Sequence, residues 1–136
     1  MSVDAFEIVE PDDAVYADIA RRFDGHNRRH SDWNWSAFSI VLRERGQVVA
    51  AGRGVTNMGL VEIRGLWVEP DWRGQGIGRR LLAALEAEAV RRGCTRAALD
   101  SYGFQAPAFY LRLGYREWGR LDYPNGTTRH FFAKDL

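Results

Sequence analysis

The sequence lacks several features that mark specialised classes of protein. Only one of its 136 residues, Cys94, is a cysteine, so the chain has neither an internal disulfide framework nor a thiolate metal site. The 19 basic and 18 acidic residues leave a net charge of +1, without the basic excess of a nucleic-acid-binding protein. No run reaches the roughly 18 apolar residues of a membrane span, and MSVDAFEIVE lacks the apolar core of a signal peptide. We therefore expect a cytoplasmic protein with no metal, no nucleic-acid partner and no membrane association.

No linker, repeat or low-complexity segment divides the chain, and we expect a single domain over residues 1–136. Phe6 and Ile8 predict a short first strand, and Asp12 or Asp13 caps a helix that runs to about Phe23. The residues expected to face inward on this helix are Val15, Ile19 and Ala20. The next segment, DGHNRRHSDWNW, predicts a loop or a short helix.

Apolar residues at alternate positions predict a sheet in the middle of the chain. They alternate from Phe38 to Leu42, and a turn at Arg45–Gly46 leads into QVVAAG, as is typical of an antiparallel hairpin. A further strand is expected from about Leu60 to Val68. Gly65 within it indicates a bulge or a close approach by another group.

The remaining elements alternate helices with strands. A helix ending at Gly93 is followed by the strand TRAALD, a short helix between Pro107 and Gly114, and a hairpin folded about Pro124–Gly126. The first of these helices has one apolar face, formed by Ile77, Leu81, Leu82, Leu85 and Ala89. The order predicts an α/β (α+β) fold, a mixed and mostly antiparallel sheet of six or seven strands with helices on both faces.

Three glycines alternate within WVEPDWRGQGIGRRLL, where a strand gives way to a helix. The first N–H groups of a helix lack intrahelical acceptors and carry the positive end of its dipole. Bare backbone at Gly74, Gly76 and Gly78 therefore lets a phosphate reach these donors. The arginines that add positive charge nearby are Arg73, Arg79 and Arg80. The spacing fits neither the Walker nor the dinucleotide pattern, although Asp100 keeps a dinucleotide-binding oxidoreductase open as an alternative.

The segment RGQGIG, residues 73–78, satisfies the signature of the GCN5-related N-acetyltransferases: Arg or Gln, two residues, Gly, one residue, then Gly or Ala. The chain also resembles this family in LWVEP before the loop and in LDSYGFQAPAFYLRLGY after it, where Tyr110 precedes the helix-ending Gly114. The resemblance implies the family's fold, with its fourth and fifth strands splayed, and an acetyl-CoA-dependent N-acetyltransferase activity.

In this family acetyl-CoA lies between the splayed strands, with its pyrophosphate on the glycine loop and its pantetheine arm paired to the fourth strand. The coenzyme-binding residues that the resemblance implies here are Leu66, Trp67, Val68, Arg73, Gly74, Gln75, Gly76, Ile77, Gly78 and Arg79. Gly65 would be the bulge that splays the strands and frees N–H groups for an oxyanion. Many members carry Asn at the position of Gly103, where it holds the coenzyme; Ser101 or Gln105 is the substitute expected here.

The resemblance also implies two catalytic residues, because the amine attacks the thioester directly and no enzyme nucleophile is needed. Glu62 stands where histone-acetylating members carry their general base, and its alternative is a salt bridge with Arg64 on the same strand face. Asp100 is the reserve base. Tyr110 would give a proton to the departing thiolate, or else belong only to the apolar stripe of its helix. Cys94 is expected in the core.

The acceptor amine is expected to approach opposite the coenzyme, between the N-terminal helical region and the last hairpin. Aromatic rings and carboxylates there suit a cation. The candidate contacts are Asn27, Trp33, Trp35, Asp100 and Tyr123, with His26, His30, Asp122 and His130 nearby. We expect a small-molecule amine; a protein or peptide amine, or a non-catalytic CoA-binding module, is the alternative. A homodimer remains open.

Overall fold

A computed structural model describes residues 5–136 and contains two compact units, one ending at Asn34 and one comprising Trp35–Leu136. The start of the single domain predicted over residues 1–136 lies outside the described residues, and the single domain stays a prediction.

The first unit contains one helix, α1 (Ala14–His30). Asp13 caps it, because its side chain accepts a hydrogen bond of 2.8 Å from the Val15 N–H. The helix runs well past its predicted end and takes in most of the polar segment that was expected to form a loop or short helix. An ion pair of 2.8 Å between Asp24 and Arg28 bridges one turn there, and a basic last turn suits the helix dipole.

Two predictions for the first unit are wrong. Phe6 and Ile8 do not form a strand, because no strand of the described chain pairs with them, and both side chains are exposed. The face of α1 that was expected to point inward is also exposed: Val15 is 50% exposed and Ile19 42%. An amphipathic period therefore identified the helix but not the environment of its apolar face.

The second unit is built on a six-stranded sheet of order β1-β2-β3-β4-β6-β5. Its strands are β1 (Ser36–Glu44), β2 (Gln47–Asn57), β3 (Leu60–Val68), β4 (Arg96–Tyr102), β5 (Arg116–Asp122) and β6 (Thr128–Asp135). Only β3 and β4 run parallel to each other; the other neighbouring pairs are antiparallel. The predicted mixed and mostly antiparallel sheet is confirmed, with six strands.

Two helices of this unit follow their predicted positions: α2 (Ile77–Arg91), after a 3-10 turn at Pro70–Trp72, and α3 (Pro107–Arg112). The residues that α2 buries are those of its predicted apolar face, Ile77, Leu81, Leu82, Leu85 and Ala89. Leu82, Leu85 and Ala89 pack with buried residues of β3, β4 and β6, and Ile77 and Leu81 pack with Ala50 of β2. No helix within residues 5–136 is long and apolar enough to cross a membrane.

The sheet opens between β3 and β4, the strands that correspond to the predicted splayed pair. Arg53 of β2 pairs with Gly65 and Gly54 with Ile63, so the extra residue of the bulge is Arg64, one position before the predicted Gly65. β3 pairs with β4 only from Leu60 to Ile63, whereas β4 continues beside β6 to its end. The second half of β3 therefore has an open edge on the side of β4.

Candidate active site

The glycine loop enters α2 through two left-handed residues. Gly74 and Gly76 both have a φ of 77°, a region that favours glycine. Gly76 is the N-cap of α2, and no side chain within the described residues caps the helix there. The N–H groups of Ile77, Gly78 and Arg79 lie in the first turn, where intrahelical acceptors are lacking. The loop therefore presents main-chain donors at the positive end of a helix, as an anion site requires.

A cavity of about 210 Å³ lies beside this loop. It is lined by Val68, Trp72, Arg73, Gly74, Gly76, Ile77, Gly78, Arg79 and Phe109. A methyl group on Gly78 would lie 3.7 Å from the Cζ atom of Phe109, an ordinary contact, so this glycine is not required for steric reasons. Phe109, the neighbour of Tyr110 on α3, thus lines the cavity, and no motif in the sequence marked it for this position.

Arg73 ties the loop to the end of β3. Its Nε donates a hydrogen bond of 2.8 Å to the Val68 carbonyl, and its guanidinium lies 4.9 Å from the centre of the Trp67 ring. The indole of Trp67 in turn donates to Glu69 at 3.2 Å. Arg73 therefore fixes the two expected coenzyme-binding segments relative to each other.

Tyr110 lies on α3, on the same face of the sheet as α2. Its ring packs edge-on against Phe109, with 5.1 Å between ring centres, and 5.9 Å from the ring of Phe132. Burial raises the pKa of the Tyr110 hydroxyl, and the negative charge of Asp100 raises it further. The phenol is therefore protonated at neutral pH and can act as a donor. Both readings of Tyr110, core residue and proton donor, are compatible with this position.

Glu62 projects from the opposite face of the sheet. Its neighbours Val61 and Ile63 are buried in the core with α2, and side chains alternate along a strand. The carboxylate of Glu62 lies 3.3 Å from Arg64, and both side chains are 45% exposed. The ion pair that was the alternative to a general base is thus present, and the role as a base stays a prediction.

Asp100 and Tyr123, two of the expected acceptor contacts, belong to one cluster on the Glu62 face. We call Asp100, Tyr102, Tyr123 and Arg129 the tyrosine–arginine cluster. Arg129 lies 2.7 Å from the Asp100 carboxylate, and the hydroxyls of Tyr102 and Tyr123 are 3.2 Å apart. Hydrogen bonds from Tyr102 and from Arg129 lower the pKa of Tyr123. The sequence did not single out Arg129. In the structure this residue of β6 pairs with Tyr102 of β4.

The other expected acceptor contacts are Asn27 and Trp33 of the first unit and Trp35 of the second. Trp33 donates its indole N–H to Asp24 at 2.8 Å, and the Asn27 carbonyl accepts from Ser31 at 2.7 Å, both within the first unit. Trp35 opens the second unit and is 46% exposed. For these three residues an acceptor role stays a prediction.

Histidine and cysteine are the usual metal ligands, and the structure places His26, His30 and Cys94 as follows. His26 and His30 lie one turn apart on α1 with ring centres separated by 4.5 Å. No group of three or more His, Cys, Asp or Glu side chains within residues 5–136 is arranged to hold a metal. Cys94 is buried, as expected, and burial raises the pKa of its thiol.

The turn after β4 uses both of the polar residues that were expected to replace an asparagine at position 103. The Gln105 side chain accepts a hydrogen bond of 2.8 Å from the Tyr102 N–H and lies 3.5 Å from the Ser101 hydroxyl. Ser101 is only 2% exposed. These two side chains close the turn on itself. Near Gly103 instead lies His130, which packs on the face of Phe132 rather than on that of the tyrosine–arginine cluster.

Comparison with known proteins places this site in context. Residues 4–115 match the family described as "Acetyltransferase (GNAT) family". A blasticidin-S acetyltransferase from Streptomyces morookaense is 39% identical over 95 residues, 68% of this chain and 70% of that protein. The crystal structure of an acetyltransferase from Bacillus cereus covers 96% of this chain and 98% of its own, with a TM-score of 0.81 and 31% identity. An aminoglycoside 6'-N-acetyltransferase solved with coenzyme A shares the fold, with a TM-score of 0.66 at 22% identity over 73% of this chain and 72% of its own.

Proposed function

Because the chain belongs to the acetyltransferase (GNAT) family and is an acyltransferase, we propose that it moves an acetyl group from acetyl-CoA to the amine of a small molecule. The observation that carries the proposal is the open edge of β3 beside the uncapped start of α2. The open edge offers main-chain partners to an amide-containing arm, and the helix start offers donors to a diphosphate. Arg73 links the two through Val68.

Acetyl-CoA, when bound, supplies an activated acetyl thioester. Starting from the ammonium form of the acceptor, the nitrogen loses one proton and bonds to the carbonyl carbon, the bond from that carbon to sulfur breaks, and the products are the amide, a thiol and that one proton. The second proton that the nitrogen loses on becoming an amide replaces the one that Tyr110 gives to sulfur. N–H groups near the Arg64 bulge can stabilise the developing oxyanion, and the Tyr110 hydroxyl donates the proton that sulfur takes. The raised pKa of Tyr110 keeps that proton in place at neutral pH.

An alkyl ammonium must lose a proton before it can attack, since its pKa is about 10 in water. We assign this step to Glu62, with Asp100 as the reserve, because both carboxylates lie on the sheet face opposite Tyr110. The amine would then approach from one face while the donor occupies the other. Each carboxylate is also ion-paired, Glu62 with Arg64 and Asp100 with Arg129, so the incoming ammonium competes with an arginine for it.

The proposal of a small acceptor is supported by the names of similar proteins, one for blasticidin S and one for aminoglycosides. The tyrosine–arginine cluster adds the rings of Tyr102 and Tyr123 on the acceptor face, which suit a cationic amine, while its carboxylate, Asp100, is paired with Arg129.

The test is release of free thiol from acetyl-CoA in the presence of a panel of small amines and lysine-containing peptides. We expect release with a small amine, strongly reduced by Tyr110→Phe and reduced by Glu62→Gln. Tyr16→Phe and Glu44→Gln serve as matched controls, since Tyr16 is half exposed on α1 and Glu44 ends β1.

Each alternative has its own outcome. Release with peptides alone would overturn the small acceptor, and calorimetric binding of acetyl-CoA without release by any amine would favour a non-catalytic module. Binding of NAD in place of acetyl-CoA would favour the dinucleotide alternative. Full activity of both Tyr110→Phe and Glu62→Gln would contradict the catalytic assignments while leaving the class intact.

A further inference from the structure

Glu117 and His130 form a largely buried pair on the sheet face that carries Tyr110. The His130 Nδ1 lies 2.6 Å from a Glu117 carboxylate oxygen, and the two side chains are 16% and 20% exposed. Arg120 also contacts this carboxylate, at 2.7 and 3.1 Å. The imidazole stacks on Phe132, with 6.4 Å between ring centres. An imidazole fixed in this way by a carboxylate has one nitrogen committed and the other directed elsewhere.

The other nitrogen, Nε2, faces the space left by the missing side chain of Gly103. A methyl group on Gly103 would lie 4.0 Å from His130 Nε2 and 3.8 Å from the Thr128 carbonyl oxygen. The Thr128 carbonyl already accepts a hydrogen bond of 2.9 Å from the Gly103 N–H. Nε2 is therefore the side-chain atom that faces this space.

This space adjoins the open end of the sheet. His130 pairs with Ser101 of β4, beyond the last β3–β4 pair at Ile63 and Leu99. The polar side chains of the same turn, Ser101 and Gln105, are engaged with each other and with the main chain. A hydrogen-bonding group directed at a ligand here must come from elsewhere, and His130 supplies one.

We propose that His130 Nε2 hydrogen-bonds an amide group in the pantetheine arm of the donor, at the space beside Gly103. The inference rests on the proposed function, because that function places an amide-containing arm along the open edge. Arg120 and His130 both lower the pKa of Glu117, so its carboxylate accepts from Nδ1–H. With Nδ1 engaged by the carboxylate, Nε2 is left for the amide of the arm, as an acceptor from its N–H when the ring is neutral and as a donor to its carbonyl when the ring is protonated. Glu117 acts as the positioning residue.

The test compares acetyl-CoA with ADP, which carries the diphosphate but lacks the arm. His130→Ala is expected to raise the Kd and KM for acetyl-CoA by roughly 5- to 10-fold, the effect of about one hydrogen bond, with kcat at saturation little changed. Binding of ADP should be unchanged. Glu117→Gln should give a smaller loss of the same kind, and Gln47→Ala, at an exposed position that begins β2, no loss.

A second substitution keeps the test independent of folding. Gly103 is not left-handed and its added Cβ would make only ordinary contacts, so Gly103→Asn can be built without strain. In the His130→Ala background it should restore acetyl-CoA binding, because an amide then occupies the same space. The thermal midpoints of all variants are measured alongside.

The outcomes separate this inference from the function beneath it. If the unchanged protein does not bind acetyl-CoA, the proposed function fails and this inference with it. If the unchanged protein binds it and a folded His130→Ala binds equally well, only the inference is overturned. A loss shared by ADP, or a loss that Gly103→Asn does not repair, also overturns it, because the role of His130 would then be structural.

Discussion

Replacing Gly76 with alanine separates the conformation of the glycine loop from its bulk. The φ of Gly76 is 77°, and nothing lies within 4 Å of the added methyl group, so the substitution causes no clash. Its penalty is the left-handed backbone of a residue with a side chain, about 1–2 kcal/mol. The free loop can relax to avoid this penalty, but a ligand that needs the N–H groups aligned must restore it. We therefore expect the Kd for acetyl-CoA to rise by roughly 5- to 30-fold, since about 1.4 kcal/mol corresponds to a factor of ten.

Gly46→Ala is the matched control, because Gly46 lies in the turn between β1 and β2, has a φ of 80°, and also has nothing within 4 Å of the added methyl group. Its penalty is the same left-handed backbone, about 1–2 kcal/mol, at a position outside the glycine loop. We expect a similar loss of stability in the two variants and an unchanged Kd for acetyl-CoA in Gly46→Ala. The assay is calorimetric titration with acetyl-CoA, paired with urea unfolding. Wild-type affinity in Gly76→Ala, or equal losses of affinity in both variants, would refute the reasoning.

Three further predictions concern protonation and packing. Burial, and then the charge of Asp100, raise the pKa of Tyr110, so kcat should not fall through loss of the Tyr110 proton until the pH passes about 10. In Asp100→Asn this fall in kcat should begin at a lower pH, which a pH–rate profile would reveal. Tyr110→Phe should lower kcat by roughly 100-fold at neutral pH, and a loss confined to KM would argue against a proton donor. Tyr115 is 3% exposed and donates to Glu86 at 2.8 Å, so Tyr115→Phe should lower the free energy of unfolding by about 1–2 kcal/mol in urea titrations. Because the pKa of Tyr115 is raised in the folded protein, its hydroxyl contributes fully to the free energy of unfolding below pH about 10, and this contribution is lost as the pH rises further. Tyr115→Phe should therefore lose less stability at alkaline pH than the wild type.

The sequence predicted best those features that depend on neighbours in the chain. The bounds of β3 and the buried face of α2 follow from short periods of two and 3.6 residues, and the bulge follows from a glycine inside a strand. The sequence suggested glycine at positions 74 and 76 because a phosphate needs access to the backbone. The structure adds a second reason, since both residues have a positive φ that favours glycine.

Features that depend on contacts distant in sequence could not be predicted. The Glu117–His130 pair joins β5 to β6 in a hairpin whose register shifts between Glu117 and Gly119, and no sequence spacing reports that shift. Arg73 was expected to add charge near phosphate, whereas its Nε bonds the Val68 carbonyl across the loop. The length of α1 was underestimated because charge pairs one turn apart extend a helix without an apolar period.

The central claim is that main-chain amides of the glycine loop hold the diphosphate of acetyl-CoA, and hydrogen–deuterium exchange measures those amides directly. With saturating acetyl-CoA, exchange should slow in the peptide that contains residues 74–79, and the slowing should be weaker in Gly76→Ala at equal donor concentration. Unchanged exchange at residues 74–79 while acetyl-CoA is bound would contradict the account.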